Sequence, residues 1–178
     1  MPEWTAINPL DMSAGGGVIS SASMTRGFFV SAPASSAWAT ANTAIFVPIR
    51  VPMPVTVYKL AIGAGSTASG NFDVGIYDAS GNRLVSSGAT AKGASTEHIL
   101  DITDTVIGPG LYYLALAASG TNNYVFYTPA GTSPVPLQKA RLLGCLEMAT
   151  AYTLPATATF AAMTSANVPL IAAYLRPW

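Results

Sequence analysis

Apolar and polar positions alternate most cleanly at FDVGIYD, residues 72–78. On an extended chain Phe72, Val74 and Ile76 fall on one face and Asp73, Gly75 and Tyr77 on the other, the pattern of a strand with one buried side. DASGN, beginning at Asp78, then reverses the chain: the Asp78 carboxylate bonds its own backbone and Gly81 takes the left-handed conformation. RLVSSG returns. Residues 72–88 therefore predict a β-hairpin whose core face carries Phe72, Val74, Ile76 and Leu84.

The same reading extends along the chain. IFVPIRVPMPVTVYKLAI is β-branched and aromatic, and Pro48, Pro52 and Pro54 forbid a helix there while pointing to edge positions or bulges. AGSTASGN is a loop. Further strands follow at the spacing of a sandwich: EHILDI at 97–102, LYYLALA at 111–117 behind the turn GPG, YVFYT at 124–128, RLLGCLEM at 141–148 and VPLIAAYL at 168–175. Leu114 and Leu116 join the predicted core. No amphipathic helix of three turns is visible. The expectation is an all-β chain: an antiparallel β-sandwich, jelly-roll-like, with an extended N-terminal arm.

The arm is residues 1–44 and the sandwich body 45–178. SAGGGVISSASM and SAPASSAWATANTA are small-residue, low-complexity stretches with little periodicity. Trp4, Phe28, Phe29 and Trp38 are spaced along them like anchors. Two readings stand: a first strand and loops of the same domain, or an arm that orders only on a neighbouring subunit. On the second, those four aromatics are the partner-binding residues.

Composition changes the picture in one respect. Of 178 residues, 51% are hydrophobic and only 9% charged, against roughly 25% charged in ordinary soluble domains. A surface so poor in charge is expected to be covered in an assembly. Eight basic residues balance eight acidic ones, so no electrostatic footprint for nucleic acid exists, and no basic amphipathic run addresses a membrane. The charge-free run 105–138 is interrupted throughout by Gly, Pro, Asn and Thr and is not read as a membrane span. Glu3 and Asp11 fall early and no basic region precedes an apolar stretch, so no signal peptide is expected.

Candidate chemistry is sparse. His98 stands beside Glu97, but neighbours on a strand point to opposite faces, so the two do not share a site. Cys145 lies in apolar LLGCLEM and reads as a buried, inert thiol. Asp101 and Asp104 could meet at a strand end, yet calcium takes six or more oxygens, and turn-capping is the better reading. GAGSTASG lacks the Lys-Ser/Thr and the helix of a phosphate loop. The tyrosines suit core and sheet surface better than a sugar-stacking face. No catalytic, cofactor or metal site is expected, and the chain reads as a non-enzyme.

AIFVPIRVPMPVTVYKLAIGAGSTASGNFDVGIYDASGNRLVSSGATA, followed by LDITDTVIGPGLYYLALAASG, resembles a small β-sandwich module of tailed-bacteriophage virion proteins, over residues 44–120. The shared features are VGIYD..GN.L..SG and L.PG.YYLA, strand-and-turn patterns without catalytic content. The resemblance implies a virion structural protein assembled in the host cytoplasm. A capsid decoration (cement or head-spike) protein, a homotrimer bound to the major capsid protein, is the first expectation. A tail-tip or fibre module binding host-surface glycan is the second. The absence of heptads, collagen-like repeats or any shaft favours decoration.

Overall fold

The computed structural model describes residues 17–21, 34–127 and 135–176. Among these residues fourteen strands and one short helix follow in chain order. The first seven strands are β1 (Val18–Ser20), β2 (Ala34–Ala37), β3 (Ala44–Val51), β4 (Val55–Gly63), β5 (Asn71–Asp78), β6 (Arg83–Ser86) and β7 (Thr90–Ala91). Then come β8 (Glu97–Ile107), β9 (Gly110–Ala118), β10 (Asn123–Tyr127), the helix α1 (Val135–Leu142), β11 (Leu146–Met148), β12 (Ala161–Ala162), β13 (Val168–Pro169) and β14 (Ile171–Leu175).

Hydrogen bonding assembles one sheet in the order β1-β14-β4-β8 and a second as β12-β11-β3-β9-β5-β6, with β7 also on β5. All pairings are antiparallel. Setting aside the small additions, the principal strands fall into two sheets, β1-β14-β4-β8 and β3-β9-β5-β6. The chain crosses from one to the other between β3 and β4, between β4 and β5, between β6 and β8, and between β8 and β9. This is the doubled Greek key of a jelly roll. A third, small sheet, β13-β10-β2, is built from the long connections.

The two principal sheets bury one face each against the other. Phe72, Val74 and Ile76 of β5, Leu114 and Leu116 of β9, Ile45, Val47 and Ile49 of β3, and Leu60 and Ile62 of β4 all lie in this shared core. Those of β5 and β9 are the predicted core face. The second sheet is also covered on its outside, by residues 149–160. Phe46, Tyr77, Tyr113, Ala115 and Ala117 form a second core beneath Leu154 and Phe160. Burial on both faces explains why β3 and β9 read as continuous apolar runs instead of alternating ones. Of the prolines, Pro48 lies past Phe46↔Leu146, the last pair with β11, where β3 keeps only β9 as neighbour, and Pro52 and Pro54 lie in the β3–β4 turn.

Three local expectations need correction. Leu84 is 40% exposed, because the register slips between Ile76↔Val85 and Tyr77↔Arg83. That bulge turns Leu84 outward and leaves Val85 packed on the core. RLLGCLEM is not one strand: α1 runs to Leu142, Gly144 at φ 81° turns the chain, and only Leu146–Met148 is extended. VPLIAAYL is split at Leu170 into β13 and β14, which belong to different sheets.

The hairpin turn forms as its residues require. The Asp78 carboxylate accepts from the amides of Ser80 (2.9 Å) and Asn82 (2.8 Å), and the Gly81 amide donates to the Asp78 carbonyl (3.1 Å). Gly81 sits at φ 86°, and a Cβ there would stand 2.6 Å from the Ala158 carbonyl oxygen of the covering segment. Gly81→Val is therefore expected to lose about 1–2 kcal/mol or more, from left-handed strain and from that collision. Chemical denaturation checks it; an unchanged midpoint would mean that the turn and the covering segment do not meet as described.

Candidate functional site

A jelly roll has two ends, and here they differ. At one end the connections are tight: residues 52–54, 79–82 and 108–109. At the other end described parts of the four long connections, β1 to β3, β4 to β5, β6 to β8, and β9 to β14, come together around residues 35, 64–66, 95–96, 125 and 170. Loops displayed by a rigid scaffold are where binding residues concentrate. The long-loop end is the candidate site.

All four connections meet there in a trough of about 560 Å³. Its floor is small and apolar, with Ala61 and Gly63 of β4 and Ala172 of β14; Val125 and Leu170 form one wall. Ser35, Ser66, Ser95, Thr96 and Glu97 contribute hydroxyls and one carboxylate. The loops are stitched by main-chain hydrogen bonds. Ala64 donates to the Thr96 carbonyl (2.9 Å), Ser95 to Gly65 (2.8 Å), Gly65 to Asn123 (2.9 Å) and Leu170 to Val125 (2.9 Å). Gly65 is required by close approach, since a Cβ would fall 2.4 Å from Ser35 Oγ and 2.7 Å from the Asn123 backbone. The Tyr174 hydroxyl donates to Glu97 Oε1 at 3.3 Å; burial, and after it the Glu97 charge and this hydrogen bond, raise the tyrosine's pKa.

Below the loops lie two basic groups. Lys92 is only 4% exposed; its ammonium donates to the carbonyls of Thr67 and Gly93 and lies 5.3 Å over the Tyr124 ring. Burial pushes its pKa down. His98 faces inward from β8, its ring edge-on to Phe72 at 5.1 Å and its Nε2 accepting the Gly93 amide at 2.9 Å. Burial, and after it the Lys92 charge, hold His98 below its ordinary value. The sequence marked His98 as a satisfied strand histidine but gave no sign of Lys92, because nothing local to a lysine reveals that two loops will close over it.

The aromatics singled out from sequence separate. Trp38 is 1% exposed, packed on Tyr124 and Phe126 with its indole N–H donating to the Thr43 carbonyl. It anchors the chain's own long connection to its own core. Trp4, Phe28 and Phe29 lie outside the described residues. Val18–Ser20 and Ala34–Ala37, both within 1–44, are strands of the sheets.

The remaining candidates are internally engaged. Cys145 is buried and its thiol is pushed up to about 12. Asp101 pairs with Lys59 (3.3 Å), and Asp104 receives a two-point contact from Arg176 (2.8 and 3.1 Å). Among the described residues no group of three or more His, Cys, Asp or Glu is placed to hold a metal ion.

No protein-family model matches the sequence. No curated protein matches it either. Two solved structures are similar to it. One is the structure of the Gt strain of infectious bursal disease virus, with a TM-score of 0.35 and 9% identity over 92% of this chain and 42% of that one. The other is a mutant VP2 protein of infectious bursal disease virus from derived T=1 particles, with a TM-score of 0.32 and 10% identity over 91% of this chain and 36% of that one. The chain spans less than half the length of either.

Proposed function

We propose that the chain is a non-enzymatic structural component of a virus particle, and that it decorates a bacteriophage capsid. The observation that carries this reading is an electrostatically quiet jelly roll. Jelly rolls recur in viral capsid and lectin domains, an analogy of fold. The charges supply the second part. Beyond the two ion pairs at Asp101 and Asp104, Asp73 and Lys92 are buried, Arg83 donates to Leu154, Arg141 to Met163, and Glu147 accepts from Thr164. Among the described residues few ionic groups are left to keep such a surface apart from its neighbours, as suits a subunit covered in a lattice. The resemblance of residues 44–120 to virion modules points the same way. Those residues form β3-β9-β5-β6 of the second sheet together with β4 and β8 of the first.

The second reading, a tail-associated module binding glycan, is favoured by one feature, the hydroxyl-rimmed trough at the loop end. Cryo-electron microscopy of purified particles carrying this chain tests both. Density for the jelly roll at symmetric capsid positions is the expected result; density at the tail supports the second reading; absence from the particles ends both.

A further inference from the structure

We infer that the long-loop end carries an acid-sensitive latch: His98, held neutral beneath the 92–97 segment, releases that segment when it is protonated beside Lys92. This inference concerns the fold itself and stands apart from the proposed function.

The geometry is specific. His98 Nε2 is a hydrogen-bond acceptor from the Gly93 amide, so the nitrogen that ties down the loop is the one that must stay unprotonated. Protonation places an N–H against an N–H and ends the tie. It also puts a second positive charge beside an ammonium already enclosed by carbonyls and an aromatic ring.

Among the described residues no carboxylate relieves the pair. From β5 the imidazole meets Phe72, from β4 its cross-strand partner is Ile62, from the loop it meets Gly93 and the field of Lys92, and β10 supplies the Tyr124 ring beneath Lys92. The nearest acids along β8, Glu97 and Asp101, belong to the opposite face, where Tyr174 and Lys59 engage them. Strand pairing holds His98 in place, whereas residues 93–96 are held by a few loop bonds, so the loop is the part that yields.

The sign follows from linkage. A histidine whose folded value lies below its ordinary 6.5 contributes stability that is present in full above 6.5 and is lost as the pH falls from there through the lower folded value. Each unit of difference between folded and unfolded values corresponds to about a tenfold change in the opening equilibrium. The released segment forms one bank of the trough, through Ser95 and Thr96.

Because the chain has one histidine, its titration is read directly by proton NMR on the full-length protein. The expected midpoint lies below 6.5. Amide exchange, corrected for intrinsic rates, is expected to speed up at residues 92–97 between about pH 7.5 and about pH 5, the range in which histidine changes charge. The 79–82 turn at the opposite end serves as the reference and is expected to change far less. His98→Gln, which keeps an acceptor without titrating, is expected to abolish the excess, and Lys92→Met to raise the midpoint. A midpoint at or above 6.5, or exchange at 92–97 that rises no more than at 79–82, overturns the latch. Should His98→Gln fail to fold, the wild-type exchange and the Lys92→Met titration decide the matter.

Discussion

Trp38→Ala is expected to lower the melting temperature of the free protein by about 10 °C or more, a loss of about 3–5 kcal/mol from truncating a fully buried indole. The ring stacks edge-on against Tyr124 at 5.2 Å and lies 5.6 Å from Phe126, and its N–H is used by Thr43. Truncation opens a cavity between the small third sheet and the main core and leaves the Thr43 carbonyl without its donor. For a domain whose whole stability is about 5–15 kcal/mol, that is a large share. Trp38→Phe keeps much of the packing and loses only the hydrogen bond, so it should fall well short of the alanine variant. Thermal unfolding of the isolated chain is the decisive measurement. A variant that melts normally yet leaves its particle would restore Trp38 as a docking anchor and would falsify its placement in the core.

Asp73 carries the second large effect. It points to the outer face of β5, is fully buried, and accepts the Leu154 amide at 3.0 Å through Oδ2 while Ser87 Oγ lies 3.4 Å from Oδ1. Around it Tyr77 donates to the Pro155 carbonyl, Arg83 to the Leu154 carbonyl, and Ala158 N–H to Gly81. Together they fasten residues 149–160 over the second sheet. Asp73→Ala leaves the Leu154 amide buried and unpaired, at about 1–3 kcal/mol, and the void beneath adds to that loss. Asp73→Asn keeps an acceptor for Leu154 and is expected to lose less.

The pH dependence separates these variants. Burial raises the Asp73 carboxyl above its ordinary 3.8, against the pull of Leu154 and of the Arg83 charge. An acid whose folded value is raised costs stability when ionised, and that cost fades as the pH falls through the folded value toward 3.8. The asparagine variant carries no such term. Its stability relative to wild type should therefore be best near neutrality and decline on acidification, as followed by urea midpoints across the acid range. A constant difference would show that the carboxylate is not strained by burial.

What the sequence determined by itself is local. Period-two alternation placed Phe72, Val74 and Ile76 in the core, the two-residue repeat of a strand added Leu114 and Leu116 from LYYLALA, and Asp78 with Gly81 specified the hairpin turn, because a strand's faces and a turn's dihedrals are set by the residues that occupy them. Charge scarcity was equally plain. Only the tertiary structure decided that Leu84 turns outward, since the bulge opposite Ile76 and Tyr77 belongs to a pairing of two strands. It also decided that 149–160 would cover the second sheet and bury an aspartate on a face that alternation marked as polar. The trough and the Lys92–His98 pair were beyond local reading for the same reason: segments near residues 35, 65, 95, 125 and 170 meet there only after the doubled Greek key brings four distant loops to one end. Neighbours in sequence are fixed by chemistry along the chain, whereas these neighbours are fixed by how the two sheets pack.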